Sequence, residues 1–235
     1  MRFIDLAWAA FIYRGFGYDE AYINIMSQRP FLSRLRTHPS GLSIDEIDQN
    51  LLKFLNQWKC RCSKSTGTAI QSGLASERKL VKMLATKTLM TLTENQIHQA
   101  EQVYDTLDGF KGIGPAIAGK TLHIVNPQVF LPLDNSVLEA FKKDARQQGG
   151  DESGSPFRYG SFLTRAKEDA ISVTDDFNSL KLPGSPAEYI STKLGYESRK
   201  TLAKYLDEYY WITSTIKVQI PPSWDPTKID NDIAP

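Results

Sequence analysis

The sequence predicts an all-α fold. Two segments join a helix-capping pattern to apolar residues at helical spacing, and no segment shows the sustained alternation typical of a β-sheet. In the first, the capping box Ser43–Glu46 precedes an apolar stripe over 44–58. In the second, Thr93–Gln96 repeats the pattern ahead of a stripe over 97–107. The first stripe is long enough for a helix of about four turns, which buries one face against a neighbour.

The rest of the chain gives weaker patterns. Val129–Leu131 and Lys217–Ile220 are the pieces most like strands, and both are short. The polar run 147–156, rich in glycine and serine, predicts a loop, and 221–235 predicts an extended tail behind a single domain over 1–220. Further helices are expected near Phe3–Phe16, Leu74–Leu89, Ala116–Val125, Asn135–Phe141, Phe157–Val173 and Ser198–Trp211.

Composition excludes several classes of protein. Of 235 residues, 41% are hydrophobic and 23% are charged, which excludes a disordered, collagen-like or disulfide-stapled chain. The two cysteines, Cys60 and Cys62, are too few for a zinc or iron–sulfur site, so no metal site is expected, and free thiols suit a reducing compartment. No apolar run reaches the ~18 residues of a membrane span. We therefore expect no membrane partner and a cytoplasmic protein, nucleoid-associated in a bacterium or nuclear in a eukaryote.

The net charge of +1 conceals a basic segment. Between Lys53 and Lys87 the chain carries eight lysine or arginine residues and a single acid, Glu77. Such a segment attracts a polyanion when its charges share one face, and it is an ordinary solvated helix surface when they do not. Both interpretations stay open at this point.

The stretch 107–141 carries the chemistry. Gly112–Pro115 forms a tight turn of small residues between two helices, and proline suits the first turn of the second helix. The free backbone N–H groups of a helix start bind anions such as phosphate, and Lys111 and Lys120 add to the field. The alternative is a plain corner between two helices.

The spacing of the residues that follow adds a resemblance. Gly114 and Pro115 open a helix, and Asp134 stands 22 positions after Gly112. This pattern resembles the helix-hairpin-helix/Gly-Pro-Asp superfamily of base-excision DNA glycosylases, in which the hairpin grips DNA and the aspartate stands in the active site. The motif covers about 35 of the 235 residues.

The resemblance implies a two-lobed helical fold, with the hairpin motif at about 107–125 and the catalytic segment at about 126–141. It implies double-stranded DNA as the partner, a monomeric protein and Asp134 as the catalytic residue. The DNA-binding residues it implies are Lys111, Gly112, Ile113, Gly114, Ala116 and Lys120.

One departure from the family limits the expected activity. Bifunctional members carry a strand-cleaving lysine two positions after the second hairpin glycine, where this chain has Ala116. Lys120 lies one helical turn further on the same face, and whether it substitutes for the missing lysine stays open. The resemblance therefore implies a monofunctional glycosylase, or a protein that has lost activity, without cofactors. The four-cysteine iron–sulfur loop of some members is absent from the sequence, and a monovalent cation in the hairpin stays open.

Asp134 admits two interpretations. A carboxylate stabilises the positive charge that develops on deoxyribose as an N-glycosidic bond breaks, and it can orient the attacking water. Asp134 also directly precedes the expected helix 135–141, where it would serve as an N-cap. The two roles are compatible. His123 is expected at the edge of the core or beside a phosphate rather than as a base.

Six aromatic residues lie near the start of the chain: Trp8, Phe11, Tyr13, Phe16, Tyr18 and Tyr22. Each is either a core residue or a stacking partner for an extruded base, and for each one we favour the core. The same holds for Tyr209–Trp211, and Trp58 is expected to close the apolar stripe. The sequence thus leads to three hypotheses: a monofunctional DNA glycosylase, a catalytically inactive DNA-binding protein, or a helical protein-interaction domain.

Overall fold

The computed structural model describes residues 1–147, 157–196, 200–218 and 225, and most of these residues are in helices. These residues contain no β-strand, so the all-α prediction is confirmed. None of the described helices has both the length and the apolar character needed to cross a membrane. The helices are α1 Phe3–Arg14, α2 Asp19–Ser27, α3 Arg29–Thr37, α4 Ile44–Ile47, α5 Lys53–Gln57, α6 Lys64–Ser76, α7 Arg78–Leu84, α8 Glu94–Asp108, α9 Pro115–Val125, α10 Asn135–Gln147, α11 Tyr159–Ser179, α12 Pro186–Lys193 and α13 Leu202–Trp211.

Both predicted capping boxes are confirmed. The Ser43 hydroxyl accepts a hydrogen bond from the Glu46 N–H at 3.2 Å, and the Glu46 carboxylate accepts one from the Ser43 N–H at 2.9 Å. The helix behind this box is one continuous run over 44–57 that contains a π-helical turn at Asp48–Leu52. At α8, Thr93 and Gln96 form the same reciprocal pair.

Several helix predictions were wrong in their bounds. The single helix expected over Leu74–Leu89 is two helices, α6 and α7, separated by Glu77 in a non-helical conformation. The helices α2, α3 and α12 were not predicted, because each has at most nine residues and therefore shows little periodicity. The last predicted helix begins later than expected, at Leu202, where the Thr201 hydroxyl caps it.

The other local predictions have mixed outcomes. Val129–Leu131 is not a strand, because the segment packs as a turn and coil behind α9. Lys217 adopts a left-handed conformation with φ of 58°, and neither Lys217 nor Val218 is in a strand; residues 219–220 of the expected strand Lys217–Ile220 lie outside the described residues. Within the predicted loop, Gln147 ends α10 and 148–156 lie outside the described residues. The predicted tail also lies outside them except for Asp225.

Two helices, α8 and α1, each pack against several others in the core. Helix α8 packs against α6, α7, α9 and α11, and α1 packs against α11, α12 and α13. The largest fully buried side chains include Tyr159 and Phe162 of α11 and Tyr205 of α13. Because α1 contacts α13, residues from the beginning and the end of the described chain meet beside α11.

The segment between α9 and α10 is held closely against both helices α9 and α11. The Tyr159 hydroxyl donates to the Leu131 carbonyl at 2.8 Å and accepts from the Leu131 N–H at 3.2 Å. At Gly119 an added Cβ would lie 2.9 Å from the Leu133 backbone nitrogen. Only glycine permits this close approach, which fixes where the next residue, Asp134, emerges at the start of α10.

Candidate functional site

A pocket of about 700 Å³ lies where α9, α10 and α13 meet. The hairpin and Asp134 both line it, so the two features that the sequence singled out lie together. The side of the pocket formed by α9 includes Gly114, Ala116 and Lys120, and the side formed by α10 includes Asp134 and Ser136. Aromatic rings from α13 and from three other segments complete the walls.

The hairpin presents unpaired backbone donors. Gly112 has φ of +88°, a conformation that favours glycine, and Gly114 is the residue before α9 with Pro115 in its first turn. The N–H groups of Gly112, Gly114 and Ala116 donate to no described residue. They stand at the positive end of the α9 dipole, which suits an anion such as phosphate.

The six residues predicted to bind DNA divide into two groups. Gly114, Ala116 and Lys120 line the pocket, whereas Lys111 and Gly112 are exposed on the turn outside it. Ile113 is buried, and its N–H donates to the Phe110 carbonyl at 3.0 Å. Its role in the hairpin is therefore to anchor the turn in the core.

Lys120 is tied to the wall of the pocket. Its Nζ donates to the Trp58 carbonyl at 3.0 Å and lies 3.7 Å from Cys60 Sγ. The ammonium also lies 5.7 Å from the centroid of the Trp58 ring, within reach of a cation–π contact. Lys120 thus adds positive charge to the pocket from a fixed position.

Asp134 is the N-cap of α10, as one of the two interpretations of this residue predicted. Its Oδ1 accepts hydrogen bonds from the Val137 N–H at 2.9 Å and from the Ser136 hydroxyl at 2.7 Å. The Ser136 hydroxyl is in turn 2.5 Å from the Thr215 hydroxyl, which also lines the pocket. Asp134 Oδ2 accepts no hydrogen bond from the described residues, and the side chain is half-buried. The cap therefore orients a carboxylate that keeps one oxygen available.

Four aromatic residues face the pocket: Tyr13, Tyr18, Trp58 and Trp211. Tyr13 and Trp58 are also buried, so the preference for a core role is confirmed for both, and both line the pocket as well. Trp211 packs edge-on against Tyr13 at 5.6 Å and against Tyr18 at 5.9 Å between ring centroids. Such rings suit a planar ligand, because their faces can stack on it.

The remaining early aromatic residues lie elsewhere. Tyr22 is buried and stacks on the His123 ring at 5.5 Å, and Phe16 is exposed beside Trp211. His123 is fully buried, and its Nδ1 is 2.7 Å from the Phe130 carbonyl. Burial lowers the pKa of His123 to about 3. The ring is therefore a neutral core group and does not reach the pocket.

Sequence reasoning missed Asp207, a second carboxylate in the pocket. Asp207 lies on α13, is 8% exposed and lines the pocket. Its Oδ2 accepts a hydrogen bond at 2.8 Å from Lys204 Nζ, and the Lys204 side chain is fully buried. Burial raises the pKa of Asp207, which the adjacent Lys204 ammonium opposes. Burial alone would lower the pKa of Lys204, but the neighbouring Asp207 carboxylate holds it well above its usual value.

The Lys204–Asp207 pair belongs to a larger buried charge network. Lys204 Nζ is 3.3 Å from Glu208, which also pairs with Lys200 at 2.7 Å. Lys200 continues the network to Asp19 at 2.6 Å. Aromatic faces cover the Lys204 ammonium, with the Tyr13 centroid at 4.4 Å. A pattern that could have revealed this network is the set of four charged residues at positions 200–208, of which Lys200 lies just before the mostly apolar helix α13 and the other three lie within it.

The lysine and arginine residues of the basic segment 53–87 are exposed, except for the half-buried Lys87. Lys59 lines the pocket, and both Lys59 and Arg61 have positive φ, at 65° and 55°. Lys64 instead pairs with Asp45 at 2.9 Å on the surface. Only part of the segment therefore adds charge at the pocket.

The cysteines are both free thiols, and burial raises the pKa of each. Within the described ranges, no cluster of three histidine, cysteine or acidic side chains could hold a metal ion. The chain matches no protein-family model, and comparisons with curated proteins and with solved structures also find no match. The site is therefore interpreted from its own geometry.

Proposed function

We propose that the protein is a monofunctional DNA glycosylase that hydrolyses the N-glycosidic bond of a damaged or mispaired base and leaves an abasic site. The observation that carries the proposal is that the hairpin residue Gly114 and Asp134 line one pocket with aromatic walls. Phosphate would bind the free N–H groups of the hairpin, and an extruded base would enter the pocket. The contact between α1 and α13 agrees with a lobe that combines both ends of the chain.

In this mechanism Asp134 acts on the sugar. Departure of the base leaves positive charge on the deoxyribose, and the unpaired Oδ2 of Asp134 stabilises that charge and orients the attacking water. The bonds from Val137 and Ser136 to Oδ1 hold the carboxylate in place, so little reorganisation is needed during the reaction.

Two features support hydrolysis without strand cleavage. Ala116 lies on the pocket wall at the position of the family's lyase lysine and has no amine. Lys120, the nearest alternative, donates its Nζ hydrogen to the Trp58 carbonyl at 3.0 Å, which ties the end of its side chain to the pocket wall. We expect an excised base and an intact abasic strand as the products.

The test is base release from duplexes that each carry one lesion, comparing the wild type with Asp134→Asn. We expect the wild type to release at least one base and the variant to be slower by about 10²–10⁴-fold, the usual contribution of a general base. Glu139→Gln on the exposed face of α10 changes the net charge equally and serves as the control. Equal rates in wild type and Asp134→Asn would remove Asp134 from the mechanism.

A catalytically inactive DNA-binding protein is the second candidate. It is favoured by the use of Asp134 as a helix cap and by the absence of a lysine at position 116. This function predicts duplex binding that weakens steeply with salt, because phosphate contacts release counterions, and no base release from any duplex. The same lesion panel, measured for binding and for release, separates the two candidates.

A further inference from the structure

Asp207 presents one oxygen of a fixed carboxylate to the pocket. Lys204 holds Oδ2 at 2.8 Å, whereas Oδ1 accepts no hydrogen bond from the described residues. Although Oδ1 has no such partner, it is not fully buried, so it is open to the pocket that Asp207 lines. The carboxylate cannot turn away without breaking its pair with a fully buried ammonium.

The position of Asp207 separates its role from that of Asp134. Asp207 is nearly buried and belongs to α13, next to the aromatic residues Tyr13 and Trp211, whereas Asp134 is half-buried at the start of α10. A planar ring stacked on those aromatic residues would meet Asp207 with its edge. An ionised carboxylate only accepts hydrogen bonds, so it favours an edge that carries donors.

The bases differ in the donors of their pairing edge. Guanine carries N1–H and the 2-amino group side by side, and both can donate to the one open oxygen of Asp207, because a carboxylate oxygen has two lone pairs. Adenine and cytosine offer one donor next to an acceptor, and uracil and thymine place one N–H between two carbonyl oxygens that a carboxylate repels. The Lys204 ammonium favours the ionised, accepting form of Asp207.

We infer that Asp207 reads the donor edge of the extruded base and selects a guanine-type purine. The inference rests on the proposed glycosylase function and adds the class of substrate to it. Damaged and undamaged guanine share this edge, so Asp207 selects the type of base, while the lesion itself is distinguished at another wall of the pocket.

The test compares two lesions that differ in one group. Duplexes carry 8-oxoguanine or 8-oxohypoxanthine at the same position, and the second base lacks only the 2-amino group. For the wild type we expect a ratio of kcat/KM values of about 10 to 100 in favour of 8-oxoguanine, which corresponds to one hydrogen bond to a charged acceptor. Equilibrium binding of both duplexes is measured in parallel by fluorescence anisotropy.

Asp207→Asn keeps the size of the side chain but replaces one acceptor with a donor. With the amide oxygen held by Lys204, the amide NH2 group takes the place of Oδ1 and can donate only to O6, which both lesions carry, so the ratio should fall toward one. A merely structural role would slow both substrates by the same factor and leave the ratio unchanged, and that result would overturn the inference. Glu139→Gln is the charge-matched control, and far-UV circular dichroism checks that each variant is folded.

The outcomes also distinguish this inference from the proposed function. Release of a uracil- or adenine-type base with no action on 8-oxoguanine would overturn the role of Asp207 and keep the glycosylase. Absence of release from every duplex would overturn the glycosylase, and a binding preference for 8-oxoguanine that Asp207→Asn abolishes would still support Asp207 as the reader. Absence of release from every duplex, together with equal affinity for both lesion duplexes and for an undamaged one, would overturn both.

Discussion

Replacing Asp134 with asparagine and with alanine separates its part in the α10 cap from its part in the pocket. The asparagine carbonyl can still accept from the Val137 N–H, as Asp134 Oδ1 does at 2.9 Å, and asparagine is as good an N-cap as aspartate. We expect Asp134→Asn to change the free energy of unfolding by less than about 0.5 kcal/mol. Alanine removes the acceptor altogether.

The cost of Asp134→Ala follows from two lost hydrogen bonds. Loss of an N-cap costs about 1 kcal/mol, and the Ser136 hydroxyl loses its acceptor at 2.7 Å. Because Ser136 lies at the rim and keeps Thr215 as a neighbour, water can replace part of that bond. We therefore expect a total destabilisation of about 1–2 kcal/mol.

Urea unfolding at pH 7, followed by circular dichroism, measures both variants, and an unchanged m-value confirms that the midpoints report stability. Base release is measured in the same preparations. Both variants lack the negative charge, so the glycosylase mechanism predicts that both lose activity although only one loses stability. Equal stability of the two variants would contradict the cap, and full activity in the stable Asn variant would contradict the catalytic role.

Three further predictions concern stability. His123 is neutral in the folded protein, but in the unfolded chain it takes up a proton below pH 6.5. As the pH falls from 6.5 toward the folded-state pKa of about 3, His123 should therefore lower the free energy of unfolding by about 1.4 kcal/mol per pH unit. Urea unfolding at pH 7 and pH 5 should show a smaller loss in His123→Gln, and an equal loss would refute the reasoning. Gly119→Ala places Cβ 2.9 Å from the Leu133 nitrogen and should cost about 1–2 kcal/mol, despite the higher helix propensity of alanine; a stabilised variant in the same assay would contradict that contact. Lys204→Met leaves the Asp207 carboxylate buried without its ammonium and should cost about 3–5 kcal/mol. Adding Asp207→Asn should recover part of this loss of unfolding free energy, and no recovery would show that the pair is not coupled.

The part of the site that could be predicted from the sequence is the part with local determinants. Gly112–Pro115 and Asp134 lie within one short stretch, and α9 joins them as a single helix of 11 residues. A turn, a helix and a return segment of fixed length leave little freedom in where the aspartate lies. The spacing therefore indicated that the two features would meet, as they do around the pocket.

The opposite wall depends on contacts between distant parts of the chain. Tyr13, Trp58 and Asp207 come from segments separated by dozens of residues, and nothing local to any of them indicates the pocket. Asp207 also follows Lys204 by three positions, which in the sequence is typical of an exposed helical ion pair. The helix is buried instead because α1 packs on it, a tertiary contact that periodicity does not reveal.

The hydroxyl groups of Thr215 and Ser136 extend the cap of α10 into a directed chain. Since Ser136 gives its hydrogen to Asp134, the short contact between the two hydroxyls requires Thr215 to be the donor there. Every O–H dipole in the chain then points toward the carboxylate before any ligand arrives. A cation formed in the pocket would thus meet an electrostatic field that is already aligned. Replacing the hydroxyl group of Ser136 or Thr215 with a methyl group would remove one of these dipoles, and mobile water would have to take its place.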